Sequence, residues 1–237
     1  MKLLAIDTAT EALSVALLHD GEVDGRFEVI GRGHAERLLP MVDEMLAAAG
    51  WSLASLDAIA FGRGPGAFTG VRIAVSVAQG LAFGAGLPLI PVSDLAALGL
   101  QALLQARTEG HAATAALACL DARMAEVYAA VVRRRADGGV DLLSEQLLRP
   151  ELVSLDVLDG GETAVGAGHG FSAHVSMAPA LGSRLVATYP SLLPRAHEIA
   201  RLAALEFAAG RVVAAEEGQP VYLRDDVATR STRAPGI

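Results

Sequence analysis

Acids at strand ends and one glycine-rich turn are the residues of this chain whose types and spacing could do chemistry. Asp7-Thr8-Ala9-Thr10 follows the apolar run Leu3–Ile6, and Asp121 follows Leu117–Leu120. An acid so placed orients water or a metal-bound phosphate. Gly62, Gly64 and Gly66 lie in Phe61-Gly-Arg-Gly-Pro-Gly-Ala-Phe-Thr-Gly-Val-Arg72, between a short apolar run and a long Ala/Val-rich segment. A glycine turn from strand to helix aims free N–H groups, at a positive helix end, toward an anion such as phosphate. Asp7, Thr8, Gly64 and Gly66 are therefore a candidate cleft for weak binding of ATP or ADP, since backbone anion sites need no particular side chain. The competing reading is that the glycines serve a tight turn and that Asp7-Thr8 caps another. The spacing matches neither Gly-x-Gly-x-x-Gly nor a pattern ending in Gly-Lys-Ser/Thr. Thr8-Ala9-Thr10 also lacks the glycine that would let a phosphate approach the first hairpin.

The histidines carry less. His34 opens His-Ala-Glu-Arg-Leu-Leu-Pro40, but Leu38 stands where a zinc-binding helix would place its second histidine. His19, His111, His169, His174 and His197 form no two-ligand helical pair, and no serine sits in a Gly-x-Ser-x-Gly elbow. The sequence assigns no catalytic residue and no metal site.

The elements that must position these groups follow from periodicity and turn signals. Strands are expected at Leu3–Ile6, Ser14–Leu18 and Val23–Ile30, with Asp20-Gly21 as a hairpin turn. A helix over His34–Ala49 stops at Gly50, Ala58–Phe61 is a strand, Val71–Phe83 a helix and Leu89–Val92 a strand. Ser93 or Asp94 caps the next helix. The second half repeats this order: Leu117–Leu120 ends at Asp121, Glu126–Val132 and Val140–Leu148 flank Asp137-Gly138-Gly139, and Ala164–Gly168 echoes Ile59–Gly64. The second copy is looser, and Ala196–Ala209 is its clearest helix. Two such lobes describe an α/β, actin/Hsp70/sugar-kinase-like fold of duplicated β-β-β-α-β-α units. The N-terminal lobe is expected at 1–105 and a smaller C-terminal lobe at 106–237, the last helix packing back on the first lobe. Ligands in that architecture bind between the lobes, where Asp7, Gly62–Gly66, Asp121 and Gly166–Gly168 would converge.

Composition bounds the rest. The 237 residues are 52% hydrophobic and 19% charged, ample for a core. The net charge of -8 argues against a chain that grips nucleic acid unaided, though not against joining a complex that does. The one cysteine, Cys119, leaves no internal disulfide and fits a reducing compartment. Met1–Ile6 is too short for a signal peptide or membrane span, so a soluble, cytoplasmic protein is expected, with no membrane contact.

The first two helices carry more apolar surface than one sheet needs. Leu38, Met41 and Met45 form one stripe on the first helix, with Leu39, Val42, Leu46 and Ala49 beside it. On the second, Thr69, Arg72, Ser76 and Gln79 make only a narrow polar stripe. Such helices are covered on more than one side, either by each other or by another chain.

At these residues the chain resembles the bacterial TsaB (YeaZ) family. The likeness lies in Leu4–Glu11, His34–Pro40, Gly62–Arg72, Leu120–Tyr128 and Val221–Ala228, and runs from end to end. It implies a role in making threonylcarbamoyladenosine at position 37 of tRNAs that read codons beginning with A. A TsaC-type enzyme makes threonylcarbamoyl-AMP, TsaD transfers the threonylcarbamoyl group, and TsaE is an ATPase that binds the TsaB–TsaD pair. The resemblance implies a non-catalytic partner of TsaD that forms a homodimer when alone and meets tRNA only through the complex. TsaD carries a His-x-x-x-His metal pair after its fifth strand; the matching positions here are Asp94 and Leu98, and leucine ligates no metal. The implied partner interface is Leu38, Leu39, Met41, Val42, Met45, Leu46, Val71, Val75 and Ala78. The alternatives are an actin-fold ATPase or kinase, and a peptidase-like factor acting on TsaD. The tail Thr229–Ile237 is expected to fray.

Overall fold

The structure, a computed structural model, describes residues 1–224; the last four residues of the Val221–Ala228 motif and the tail lie outside the described residues. It is built on two five-stranded sheets of one design. β1 (Lys2–Asp7), β2 (Ala12–His19), β3 (Glu22–Val29), β4 (Ala58–Gly62) and β5 (Leu89–Val92) form the first, in the order β3-β2-β1-β4-β5. β6 (Ala115–Arg123), β7 (Glu126–Arg134), β8 (Val140–Leu148), β9 (Ala164–Ala167) and β10 (Leu185–Tyr189) form the second, in the order β10-β9-β6-β7-β8. In each sheet three antiparallel strands are followed by two parallel ones, so the duplication extends to strand pairing.

The helices are α1 (His34–Ala49), α2 (Phe68–Ala85), α3 (Asp94–Thr108), the single turns α4 (Gly170–Ala173) and α5 (Met177–Ala180), and α6 (Ala196–Ala208). In the second copy a 3-10 turn at Pro150–Leu152 stands in the place of α1, and α4 and α5 in that of α2. Pro150, Gly160, Gly161 and Pro179 break these segments before a long helix can propagate.

α1 and α2 cover one face of the first sheet, where Leu4, Ile6, Val15, Leu17, Ile59 and Phe61 point. Leu3, Ala5, Ala16, Ala58 and Ala60 point to the other face, which α6 covers. The strands read as continuous apolar runs because both faces are buried. α3 lies on the second sheet and against α6, so one core joins the two lobes. The boundary expected at 105 falls inside α3, which packs on the second sheet although it follows the last strand of the first. Of the two candidate caps for α3, Ser93 acts: its Oγ accepts from Ala96 N at 3.1 Å.

Across the lobes, Arg63 Nη2 donates to Glu145 Oε2 of β8 at 2.8 Å, and Ser93 Oγ bonds the other oxygen. The Gln219–Arg224 segment straps the same junction: Val221 N donates to Arg63 O, and Arg224 reaches Ala122 O and Glu126.

Candidate functional site

A cleft of ≈ 1510 Å³ lies between the lobes, at the carboxyl ends of β1 and β6. Its walls include Thr10, Gly66, Asp121 and His169. Of the groups expected to converge there, Asp121 and Gly66 do. His169 also faces the cleft, because Gly168 and Gly170 press against Cys119 and turn the intervening side chain outward. His169 Nδ1 accepts from Asp121 N at 2.9 Å, which leaves the ring proton on Nε2. Burial pushes the His169 pKa down, so the ring is held neutral. No sequence signal singled it out.

Asp7, Thr8 and Gly64 do not form the anion cleft expected of them. Asp7 and Thr8 are fully buried: Asp7 Oδ1 accepts from Ala9 N at 2.8 Å, and Thr8 Oγ1 donates to Gly70 O at 2.7 Å. Gly64 N is bound by the Asp94 carboxyl, and the strap residue Val221 lies over its Cα. Gly66 is a packing glycine, since a Cβ there would stand 2.3 Å from Ala9 O. The turn's glycines let the start of α2 press onto the β1–β2 turn, and several of the turn's N–H groups, those of Arg63, Gly64 and Ala67, go to protein acceptors. Ala67 N, for example, donates to Ala9 O at 2.7 Å. A Cβ on Gly70 would lie 2.0 Å from Thr8 O. Gly70→Ala is expected to cost about 1–3 kcal/mol, read as a lower melting temperature; an unchanged value would mean that α2 is not seated on that turn.

The expected partner interface also needs correction. Leu38, Met41, Val42, Met45, Leu46, Val71, Val75 and Ala78 are buried in this chain's own core against the first sheet. Only Leu39 of the nine is exposed, at 43%. The most apolar stripe of each helix faces inward, as it does in any sheet-packed helix. What remains outside on α2 is still apolar: Ile73 and Val77 are half-buried, Gly80 and Gly84 are exposed, and Phe83 is 78% exposed. A Cβ at Gly80 or Gly84 would meet nothing within 4 Å, so the fold of this chain does not require glycine at either position. By length and composition α2 alone among the described helices could cross a bilayer, but Val71, Ala74, Val75, Ala78 and Ala82 pack it onto its own lobe. At its start Arg72 stacks on the Phe68 ring at 3.2 Å and on Tyr222 of the strap at 4.7 Å.

Asp94 and Leu98, read as replacing a metal pair, are both fully buried on α3, with Asp94 accepting from Gly64 N and lying beside Asp7 under Gly62.

Comparison with known proteins adds the following. A family model described as "TsaD: tRNA N6-adenosine threonylcarbamoyltransferase" matches residues 28–229. The chain is 43% identical to the tRNA threonylcarbamoyladenosine biosynthesis protein TsaB of Escherichia coli (strain K12), over 100% of this chain and 99% of that protein. It is 42% identical to the protein of that name in Haemophilus influenzae, over 96% and 95%. The solved structure of YeaZ from Pseudomonas aeruginosa superposes with a TM-score of 0.84 at 48% identity, covering 94% of this chain and 99% of that one.

Proposed function

This chain belongs to the TsaB (YeaZ) family, and we propose from that premise that it works in tRNA threonylcarbamoyladenosine biosynthesis as the non-catalytic partner of TsaD. The complex transfers threonylcarbamoyl to adenosine 37 of tRNAs that read codons beginning with A, in the cytoplasm, with TsaE binding the pair and tRNA meeting this chain only through the complex. The observation that carries the reading is the outer face of α2. Phe83 is exposed, Gly80 and Gly84 present bare backbone with nothing of this chain beside them, and Ile73 and Val77, packed on the core, leave part of their apolar surface outside. Small residues on a helix face let a second helix come close. The partner surface is therefore assigned to this face with Leu39 of α1, in place of the inward stripes. In the absence of TsaD a second copy of the chain covers the same face. The non-catalytic assignment rests on Asp94 and Leu98, which are buried and unable to form the metal pair of the catalytic relative.

Size-exclusion chromatography of this chain mixed with TsaD of the same organism tests the pairing. Co-elution as a complex is expected, and Leu39→Asp is expected to weaken it with little change in melting temperature. Separate elution of the wild-type proteins would overturn the assignment.

A further inference from the structure

Asp7 and Asp94 are two buried acids that the proposed function does not use. Asp7 ends β1 and Asp94 opens α3; they are 1% and 0% exposed. Their carboxyl groups crowd one point beneath Gly62, where a Cβ would stand 2.7 Å from Asp7 Oδ1 and 2.3 Å from Asp94 Oδ1, and Asp7 Oδ2 and Asp94 Oδ1 are buried with no hydrogen-bond partner. Two carboxylates both accept and neither donates, so satisfying these buried oxygens against each other requires a proton. The remaining donors are already assigned: Ala9 N to Asp7 Oδ1, and Gly64 N to Asp94 Oδ2. The titratable groups near the pair are His34 of α1 beside Asp7 and Arg63 beside Asp94, and Arg63 is engaged by Glu145. No cation bonds either carboxyl among the described residues.

We propose that Asp7 and Asp94 share one proton, and that this carboxyl pair is a proton-dependent latch holding the glycine turn and the start of α2 to the ends of β1 and α3. Gly64 hangs directly from Asp94, and the turn it belongs to positions α2. Loss of the proton would place two like charges in contact in a dry site, which two carboxylates do not tolerate. Burial raises the pKa of both groups, and for Asp94 the neighbouring Asp7 charge raises it further. An acid whose pKa rises on folding stabilises the fold fully below its unfolded value, about 4. That contribution is lost as pH climbs through the raised folded value. The latch is therefore closed at low pH and weakens as pH rises above the range in which an ordinary carboxyl ionises. This inference does not depend on the partnership with TsaD.

Asp94→Asn tests it. An asparagine can accept from Gly64 N and donate its amide to an ionised Asp7, so the link persists without a proton. The wild-type melting temperature is expected to fall as pH rises above the ordinary carboxyl value of about 4 more steeply than that of the variant. In the wild type, the side-chain carboxyl carbon of Asp94, followed by NMR, is expected to keep the chemical shift of a protonated acid at pH values where an ordinary aspartate, with a pKa of about 4, has ionised. This reading needs no variant and stands even if Asp94→Asn folds poorly. Both carboxyl carbons titrating near the ordinary value of about 4, or superimposable pH profiles for a folded variant, would overturn the proposal.

Discussion

Gly80→Arg is expected to stabilise the isolated chain while abolishing its capture of TsaD. Glycine in a helix interior is about 0.8–1 kcal/mol less favourable than alanine, and arginine is close to alanine. A side chain at position 80 enters open space in this structure. For a chain of this size that gain corresponds to a rise of roughly 2–4 °C per kcal/mol. In the proposed complex the same arginine is driven into an apolar helix contact. Burying a charge without a partner costs about 3–5 kcal/mol, so TsaD affinity should fall by roughly 100-fold or more. Calorimetric unfolding and a TsaD titration on the same preparation read the two effects. Opposite signs are the signature of an interface glycine. Unchanged TsaD affinity would remove α2 from the contact.

Val75→Asp is expected to do the reverse: it should damage the chain itself. Val75 is 5% exposed within the core that also holds Leu38, Phe61 and Val71. An ionised or neutral carboxyl there has no donor, and such changes cost about 3–5 kcal/mol, a large part of the 5–15 kcal/mol typical of whole domains. The urea midpoint should drop sharply, whereas Leu39→Asp, at a surface position four residues before Asp43, should move it within about 0.5 kcal/mol. A Val75→Asp chain with the wild-type midpoint and selectively lost TsaD binding would show that Val75 faces outward.

The contrast between Leu39 and Val75 also shows where sequence reading stops. The strand end at Asp7, the Asp-Gly hairpins and the Gly50 stop were all legible, because each depends on local backbone chemistry, whereas β6 runs past the expected end at Asp121 to Arg123. So was the duplication, since matching local signals recur in the same order. Helix orientation was not. Leu38, Met41 and Met45 mark an apolar stripe, but a stripe is the same pattern whether a sheet or another protein covers it. The outward face was hidden for the opposite reason: Gly80 and Gly84 contribute little to an apolar pattern, and their meaning emerges only when nothing is found beside them.

The glycine turn stayed between two readings for a different reason. Gly64 and Gly66 signal that backbone comes close to something, and that much holds. Whether the neighbour is phosphate or protein depends on residues far away in sequence. Here the neighbours are Ala9, Val221 and Asp94. Asp94 itself read as a helix-cap candidate beside Ser93, and only the three-dimensional approach of β1 to α3 makes it the partner of Asp7. His169 was likewise invisible until Gly168 and Gly170 were seen to close on Cys119.

The central claim, that this chain is a required but non-catalytic partner, is tested most directly by reconstituted tRNA modification. TsaC-type enzyme, TsaD, TsaE, threonine, bicarbonate, ATP and unmodified tRNA are combined with and without this chain, and threonylcarbamoyladenosine is quantified. Modification is expected only when the chain is present. It should survive His169→Ala, in which the cleft-wall histidine bonded to Asp121 N is removed, and be lost with Gly80→Arg. Modification that proceeds equally without the chain, or that disappears with His169→Ala while TsaD binding is intact, would contradict the account.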